Sequence, residues 1–318
     1  VYQIERCSMP ELPEVETVCR GLRAHIIDRR IVRAELRRPD LRFPFPKGLQ
    51  DQLEGSTIKN ITRRAKYILI QVGNDQAGEA NDKIWLTHLG MTGRFTVYPA
   101  QSDEKALDET GDETGDTAKE TARFYHSTHN QIGAHDHVHI WFDDLTELVY
   151  TDPRRFGYMD MMALSDVNES KHLRQLGPEP IGNTFGAEVL LEKLKNRRAP
   201  IKSALLDQHV VAGLGNIYVC EALFRSGISP RRLACHVGPV RTGRLIEAIK
   251  NVLDEAITAG GSTLRDFAGA QGSAGYFQHN FDVYDREGEA CLKPECGGKI
   301  KRIVQSGRSS FYCSKCQR

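Results

Sequence analysis

The chain contains no run of about 18 consecutive apolar residues, which excludes an ordinary membrane-spanning helix. Its first residues also lack the apolar core of a secretory signal peptide. Cysteine is too sparse for a disulfide scaffold: there are eight in 318 residues, four of them gathered near the C-terminus, which suits a reducing compartment. The expected location is therefore the cytoplasm, or a nucleoid within it. Charge of one sign is missing too, with a formal net of only +1. That balance is a local cancellation. Residues 102–120 carry eight acids and two lysines, so the rest of the chain holds a net of +7. A basic body with one acidic insert favours polyanionic partners, because neutralising phosphates releases counterions. The length and the apolar fraction of 40% suffice for two domains with real cores.

The clearest positive signal is Cys291-Leu-Lys-Pro-Glu-Cys296, then sixteen residues, then Cys313-Ser-Lys-Cys316. Two close cysteine pairs flanking a span that can form a hairpin make a four-thiolate zinc site. All four positions are filled by protein, so the single zinc is structural rather than catalytic. Lys299, Lys301, Arg302 and Arg308 lie between the pairs, so the metal would staple a basic hairpin suited to nucleic acid.

From Pro13 the apolar positions Val15, Val18, Leu22 and Ile26 recur at helical spacing, placing Pro10 and Glu11 just before a helix start. Between Ile31 and Thr151 the pattern becomes one of short strands, including 58–61, 67–72, 83–88, 94–98, 137–142 and 147–151. This predicts a β-sandwich or barrel. The acidic insert, about 100–122, lacks apolar anchors and reads as a disordered surface insertion. Helical spacing follows over 185–196, 201–208, 217–226 and 242–259. The expected organisation is a leader (1–8), an N-terminal domain (9–165), a helical domain (172–282) and a zinc hairpin (283–318). The fold class is α+β.

Val210-Val-Ala-Gly213-Leu-Gly215-Asn216-Ile217-Tyr218 lies between two helical patterns. Such a turn could present backbone N–H groups to phosphate, or simply connect two helices. The alternating His135, His137 and His139 share a strand face, but no third ligand at a fixed spacing supports a second metal.

Several spaced segments together carry a family resemblance. Met9-Pro-Glu-Leu-Pro-Glu-Val-Glu-Thr17, Arg63-Arg-Ala-Lys66-Tyr67, His88-Leu-Gly-Met91, Tyr150-Thr-Asp-Pro-Arg154-Arg155-Phe156-Gly157, Gly215-Asn216-Ile217-Tyr218 and the cysteine hairpin resemble the formamidopyrimidine-DNA glycosylases. The Leu-Pro of Pro10-Glu-Leu-Pro looks like that branch rather than the related endonuclease VIII branch. The resemblance implies an N-terminal helix plus β-sandwich and a helix-two-turn-helix domain ending in the zinc hairpin, with DNA between the domains. It implies excision of oxidised purines, 8-oxoguanine and formamidopyrimidines, from duplex DNA, and cleavage of the abasic strand by β,δ-elimination. The protein would act as a monomer on damaged double-stranded DNA, with no membrane and no nucleotide cofactor.

Residue by residue, the resemblance makes Pro10 the nucleophile once Met9 is removed, because a free secondary amine can form an iminium with C1′. Glu11 would protonate the sugar oxygen as general acid. Lys66 would contact phosphate and assist the sugar chemistry, and Lys202 would stand near the damaged nucleotide. Met91, Arg154 and Phe156 would fill the gap left by an extruded base. Asn216 and Arg308 would bind flanking phosphates, His88 belongs to the same DNA-binding set, and Glu14 and Glu221 would brace the site. Ala268–Tyr276 falls where the family has a mobile loop over the extruded base.

The match departs from the family in two places. Residues 1–8 precede Met9, and the expectation is that they are not native, since an acylated Pro10 has no nucleophilic lone pair. The first cysteine pair encloses four residues where the family more often has two, which bears on the placement of Arg308. Two alternatives stay open: a pyrimidine-preferring relative, and a silent lesion-binding protein if Pro10 is not a free N-terminus.

Overall fold

The computed structural model describes residues 9–74, 78–100, 133–262 and 276–318. The leader, the acidic insert and all of the Gly/Ala-rich stretch except Tyr276 lie outside the described residues.

Helix α1 spans Leu12–Ile26. Glu11 is its N-cap, and the Glu11 N–H donates to Glu14 Oε2 at 3.0 Å, one half of a capping-box arrangement. Pro13 falls in the first turn, where no intrahelical N–H bond is lost. The helix serves two cores. Val15, Val18, Cys19, Leu22 and Ile26 are buried in the β-domain, whereas Leu12 is buried among the helices of the second domain.

Two four-stranded antiparallel sheets enclose the first core. One has the order β1-β6-β7-β5, formed by Ile31–Leu36, Asp136–Phe142, Glu147–Thr151 and Arg94–Tyr98. The other has the order β2-β3-β4-β8, formed by Thr57–Arg64, Tyr67–Gly73, Lys83–His88 and Tyr158–Ala163. Inward side chains of both sheets meet as in a sandwich. Trp85 of β4 packs edge-on to Phe95 of β5, with ring centroids 6.0 Å apart. Each such buried side chain contributes about 1.5–3 kcal/mol relative to exposure. The strand β8 and the short helix α2 (Leu49–Leu53) are not signalled by their sequences. The Met-rich β8 lacks β-branched residues, and it forms because β4 offers it a free edge.

The second domain holds α3 (Ala187–Leu194), α4 (Ile201–Leu206), α5 (Asn216–Arg225) and α6 (Pro239–Thr258). Helix α4 stops two residues before its expected end. The Asp207 carboxylate accepts the His209 N–H (3.0 Å) and the Arg197 guanidinium (2.7 Å), which draws the chain out of the helix. Helix α6 starts three residues early, at Pro239, a residue suited to a first turn. Helix α5 is buried from Ile217 to Phe224, packing on α6 and on the C-terminal hairpin. That hairpin pairs β9 (Ile300–Gln305) with β10 (Arg308–Cys313). Among the described residues no helix is long and apolar enough to cross a membrane.

Candidate active site

Pro10 and Glu11 are buried where α1 enters the second domain. The Leu12 N–H donates to Gly213 O (3.1 Å), and Glu11 Oε1 accepts the Ile217 N–H (3.1 Å) in the first turn of α5. This close approach is the reason for the paired glycines. A Cβ on Gly215 would lie 2.1 Å from the Glu11 carboxyl carbon, and one on Gly213 would lie 2.7 Å from the Leu12 side chain. Gly213 also sits at φ +84°, a conformation that favours glycine. The Gly-x-Gly segment therefore receives the N-terminal acid.

Glu11 Oε2 is buried without a hydrogen-bond partner. Burial pushes the Glu11 carboxyl up to about 7, against the opposing pull of the Lys66 ammonium. Glu14 behaves differently. Its Oε1 accepts the Tyr218 hydroxyl (2.5 Å) and the Ser262 N–H and hydroxyl (both 2.8 Å), tying α1 to α5 and to the end of α6.

Lys66 projects from the two-residue turn between β2 and β3 into a cavity of about 310 Å³ shared with Met9, His88, His172 and Arg308. Burial lowers the proton affinity of its ammonium, and Glu11 counteracts this. Among the described residues no acid lines this cavity, so it suits phosphate. Burial, then the Lys66 charge, depresses the His88 imidazole to about 3. His88 Nδ1 accepts the Gly90 N–H at 3.0 Å, so the ring is neutral with its proton on Nε2. It offers a phosphate a hydrogen bond but no charge.

A neighbouring cavity of about 520 Å³ brings together Met9, Arg42, His88, Met91, Arg154, Arg155 and Phe156. Arg154 lies over the Phe156 ring at 4.8 Å, and both side chains are exposed. The loop carrying them is shaped by Asp152, which the sequence reading left without a role. Fully buried, Asp152 accepts the Thr92 hydroxyl (2.5 Å) and the Gly157 N–H (2.8 Å), and its carbonyl meets His137 Nε2 (2.9 Å). The only sequence hint was an acid preceding a proline inside the quoted motif. His139 Nε2 is 2.7 Å from Glu147 Oε2, so both strand histidines have ordinary partners. Among the described residues the only metal-like group of His, Cys, Asp or Glu is the four-cysteine cluster.

Asn216, the first residue of α5, donates to the Tyr284 hydroxyl (3.4 Å) and keeps a buried Oδ1 unpartnered. Glu221, fully buried, accepts the N–H groups of Asp282, Val283 and Tyr284 at 2.8, 3.0 and 2.8 Å, holding the segment that carries Tyr284. Lys202, expected near the damaged nucleotide, lies within electrostatic reach of Arg308 and Glu11. It is fully buried, with its ammonium donating to Ser309 O (2.6 Å) and Ser310 Oγ (2.7 Å). It therefore fastens α4 to β10, next to Arg308. Arg308 itself is exposed after the tight turn at Ser306 and Gly307, and it points at the Lys66 cavity.

The four cysteine sulfurs lie within 4.8 Å of one another. Cys291 and Cys316 are 3.7 Å apart and Cys296 and Cys313 are 3.6 Å apart, close to the roughly 3.8 Å edge of a tetrahedral zinc–thiolate site, while Cys296 and Cys316 approach more closely, to 2.9 Å. A Cβ on Gly298 would lie 2.9 Å from Cys313 Sγ, so this glycine leaves room for the cluster. The longer first knuckle closes through Glu295 and Gly297, both at positive φ, with the Cys291 N–H donating to Gly298 O at 2.9 Å. The donor set fits one structural zinc ion.

Three family profiles match in chain order. "Formamidopyrimidine-DNA glycosylase N-terminal domain" covers residues 9–159, "Formamidopyrimidine-DNA glycosylase H2TH domain" covers 176–268, and "Zinc finger found in FPG and IleRS" covers 288–318. The formamidopyrimidine-DNA glycosylase of Ruegeria pomeroyi is 50% identical over 310 residues, spanning 98% of this chain and 100% of that relative. Its counterpart from a Bradyrhizobium species is 47% identical over 317 residues, with the same coverage. The crystal structure of the Lactococcus lactis Fpg with an abasic site containing DNA superimposes with a TM-score of 0.79 at 31% identity, covering 97% of this chain and 100% of that one. A MutM in complex with carbocyclic 8-oxo-G containing DNA gives a TM-score of 0.77 at 32% identity, with the same coverage.

Proposed function

This chain belongs to the formamidopyrimidine-DNA glycosylase family, and from that premise we propose that it excises oxidised purines from duplex DNA and then cuts the abasic strand. The substrates are 8-oxoguanine and formamidopyrimidines. The observation that carries the reading is Glu11: a buried carboxyl beside Pro10, raised to about 7, with one oxygen left unpartnered. A group so poised is protonated often enough near neutral pH to act as an acid.

In the proposed reaction the unacylated Pro10 nitrogen attacks C1′ of the damaged nucleoside. The glycosidic bond breaks and the base departs with its electron pair. Glu11 protonates the ring oxygen, the sugar opens, and an iminium links Pro10 to C1′. The iminium acidifies the C2′ proton. Its loss expels the 3′-phosphate oxygen, and a second elimination expels the 5′-phosphate oxygen. Lys66, the neutral His88, Asn216 and Arg308 hold phosphates around the extruded nucleotide, and Met91, Arg154 and Phe156 fill the vacated stack. The zinc held by Cys291, Cys296, Cys313 and Cys316 stiffens the hairpin that presents Arg308. The protein acts as a monomer without a nucleotide cofactor. Its DNA affinity falls steeply with salt, because phosphate contacts dominate.

Borohydride trapping on an 8-oxoguanine:cytosine duplex tests this, comparing protein begun at Met9 with protein begun at Val1. A covalent adduct from the Met9 form, mapped by mass to Pro10, is the expected result. Intact DNA binding with no adduct from either form would instead identify a silent lesion binder.

A further inference from the structure

The β2–β3 turn that carries Lys66 is held by a residue outside the β-domain. Its first residue, Ala65, sits at φ +53°, a region that alanine rarely adopts without external support. Glu179, in the linker before α3, supplies that support. Glu179 Oε1 accepts the Ala65 N–H (2.6 Å) and Arg64 Nη1 (2.8 Å), while Oε2 accepts Arg63 Nη1 (2.8 Å). Arg63 Nη1 also donates to Ala65 O (3.0 Å), so both backbone polar groups of Ala65 are engaged. Arg64 Nη2 donates to Gly177 O (2.7 Å) in the same linker.

The linker is in turn tied to the seat of Glu11. The Gly177 N–H donates to Gln208 O (2.8 Å), and Pro178 O accepts the Ala212 N–H (3.0 Å). Gln208 Oε1 accepts the Gly213 N–H (2.8 Å), and Gly213 O accepts the Leu12 N–H. A continuous set of hydrogen bonds thus joins the turn bearing Lys66 to the loop that receives the N-terminal acid.

We propose that Glu179 is a positioning residue that sets the Lys66 ammonium against Glu11 by clamping the β2–β3 turn to the interdomain linker. Glu179 lines neither cavity and acts only through the turn. The proposal rests on the reading of Lys66 as a working group of the site. A turn released at Ala65 would shift its lysine by a fraction of a side-chain length, and displacements near 1 Å cost up to about 100-fold in rate.

The test combines single-turnover excision rates across pH, DNA affinity, and hydrogen exchange at the Ala65 amide, for the full-length protein and for E179Q, E179A, K66M and the E179A/K66M double variant. In E179A the rate is expected to fall about 10- to 100-fold, with DNA affinity lowered no further than in K66M. The alkaline limb should move up in pH, because a withdrawn cation no longer favours the Glu11 carboxylate. E179Q retains an amide oxygen for the Ala65 N–H and should fall between E179A and wild type; it carries the test if E179A does not fold. In the K66M background E179A should add no further loss, since both changes act on one group. An equal loss in both backgrounds would overturn the proposal, as would unchanged Ala65 exchange in E179A and E179Q. A K66M variant with full activity would instead remove the reading of Lys66, while faster Ala65 exchange would still establish the clamp.

Discussion

Glu11 and Glu221 invite comparison. Both are buried carboxyls raised to about 7 chiefly by desolvation; Glu11 meets the first turn of α5 and Glu221 lies within that helix. Their wiring differs. Glu221 spends its two oxygens on three backbone N–H donors, so its carboxylate is a structural pin. Glu11 accepts the Ile217 N–H at Oε1 and leaves Oε2 buried without a partner. A raised pKa therefore does not by itself separate an acid that reacts from one that braces. On the proposed reading of Glu11, the uncommitted lone pair does.

The largest expected effect separates the two directly. Glu11→Gln should lower single-turnover excision about 10²- to 10⁴-fold, the range for loss of a general acid. It should keep the stability of the protein or raise it at alkaline pH. The sign follows from linkage: a carboxyl raised to about 7 from its ordinary 4.5 binds protons in the native state that the unfolded chain has released, so its contribution to stability declines as pH rises through that window. Urea unfolding at pH 5 and pH 8 checks this, and a Glu11→Gln variant that excises at the wild-type rate would end the comparison.

Glu221→Ala should do the reverse. Leaving three buried N–H groups without an acceptor is expected to cost about 3 kcal/mol or more in urea unfolding, with Glu221→Gln milder because it keeps one acceptor oxygen. An alanine variant as stable as wild type would show that the three bonds carry no net weight. The smallest readout, a displacement of the pH profile that accompanies the loss of rate, sharpens the role of the neighbour. Lys66→Met removes the cation that favours the Glu11 carboxylate, so the alkaline limb of the excision profile should move to higher pH. Glu221 has no such cation among the causes of its shift, and its behaviour should not change.

Much of this was legible in the sequence, and the part that was not has a physical reason. The zinc ligands are local in sequence, and four thiolates at knuckle spacing have few other uses. The amphipathic period of α1 and the β-branched strands named the two layers of the first domain. What escaped was long-range. Gly213 and Gly215 read as a phosphate loop or a plain turn, whereas they are small because Leu12 and Glu11 must fit against them. The anchoring of the Lys202 ammonium by Ser309 and Ser310 of β10, over a hundred residues away in sequence, was not legible either. Asp152 had only the following proline to mark it and Glu179 had nothing, because a carboxylate that organises a turn looks the same in sequence as one that faces water. Strand β8 was hidden by a Met-rich sequence whose partner alone defines it.

The meeting of Glu11 with α5 also governs when such an enzyme becomes dangerous. The two groups it joins, Glu11 Oε1 and the Ile217 N–H, lie 206 residues apart in the chain. During synthesis the N-terminal end emerges first, and domains fold in that order. Until the second domain closes around it, Glu11 is a solvated carboxylate of ordinary acidity, ionised at neutral pH and useless as a proton donor. On the proposed reading of Glu11, the capacity to cut a DNA strand is therefore withheld from the nascent protein, and it arrives only when the last half of the chain has folded.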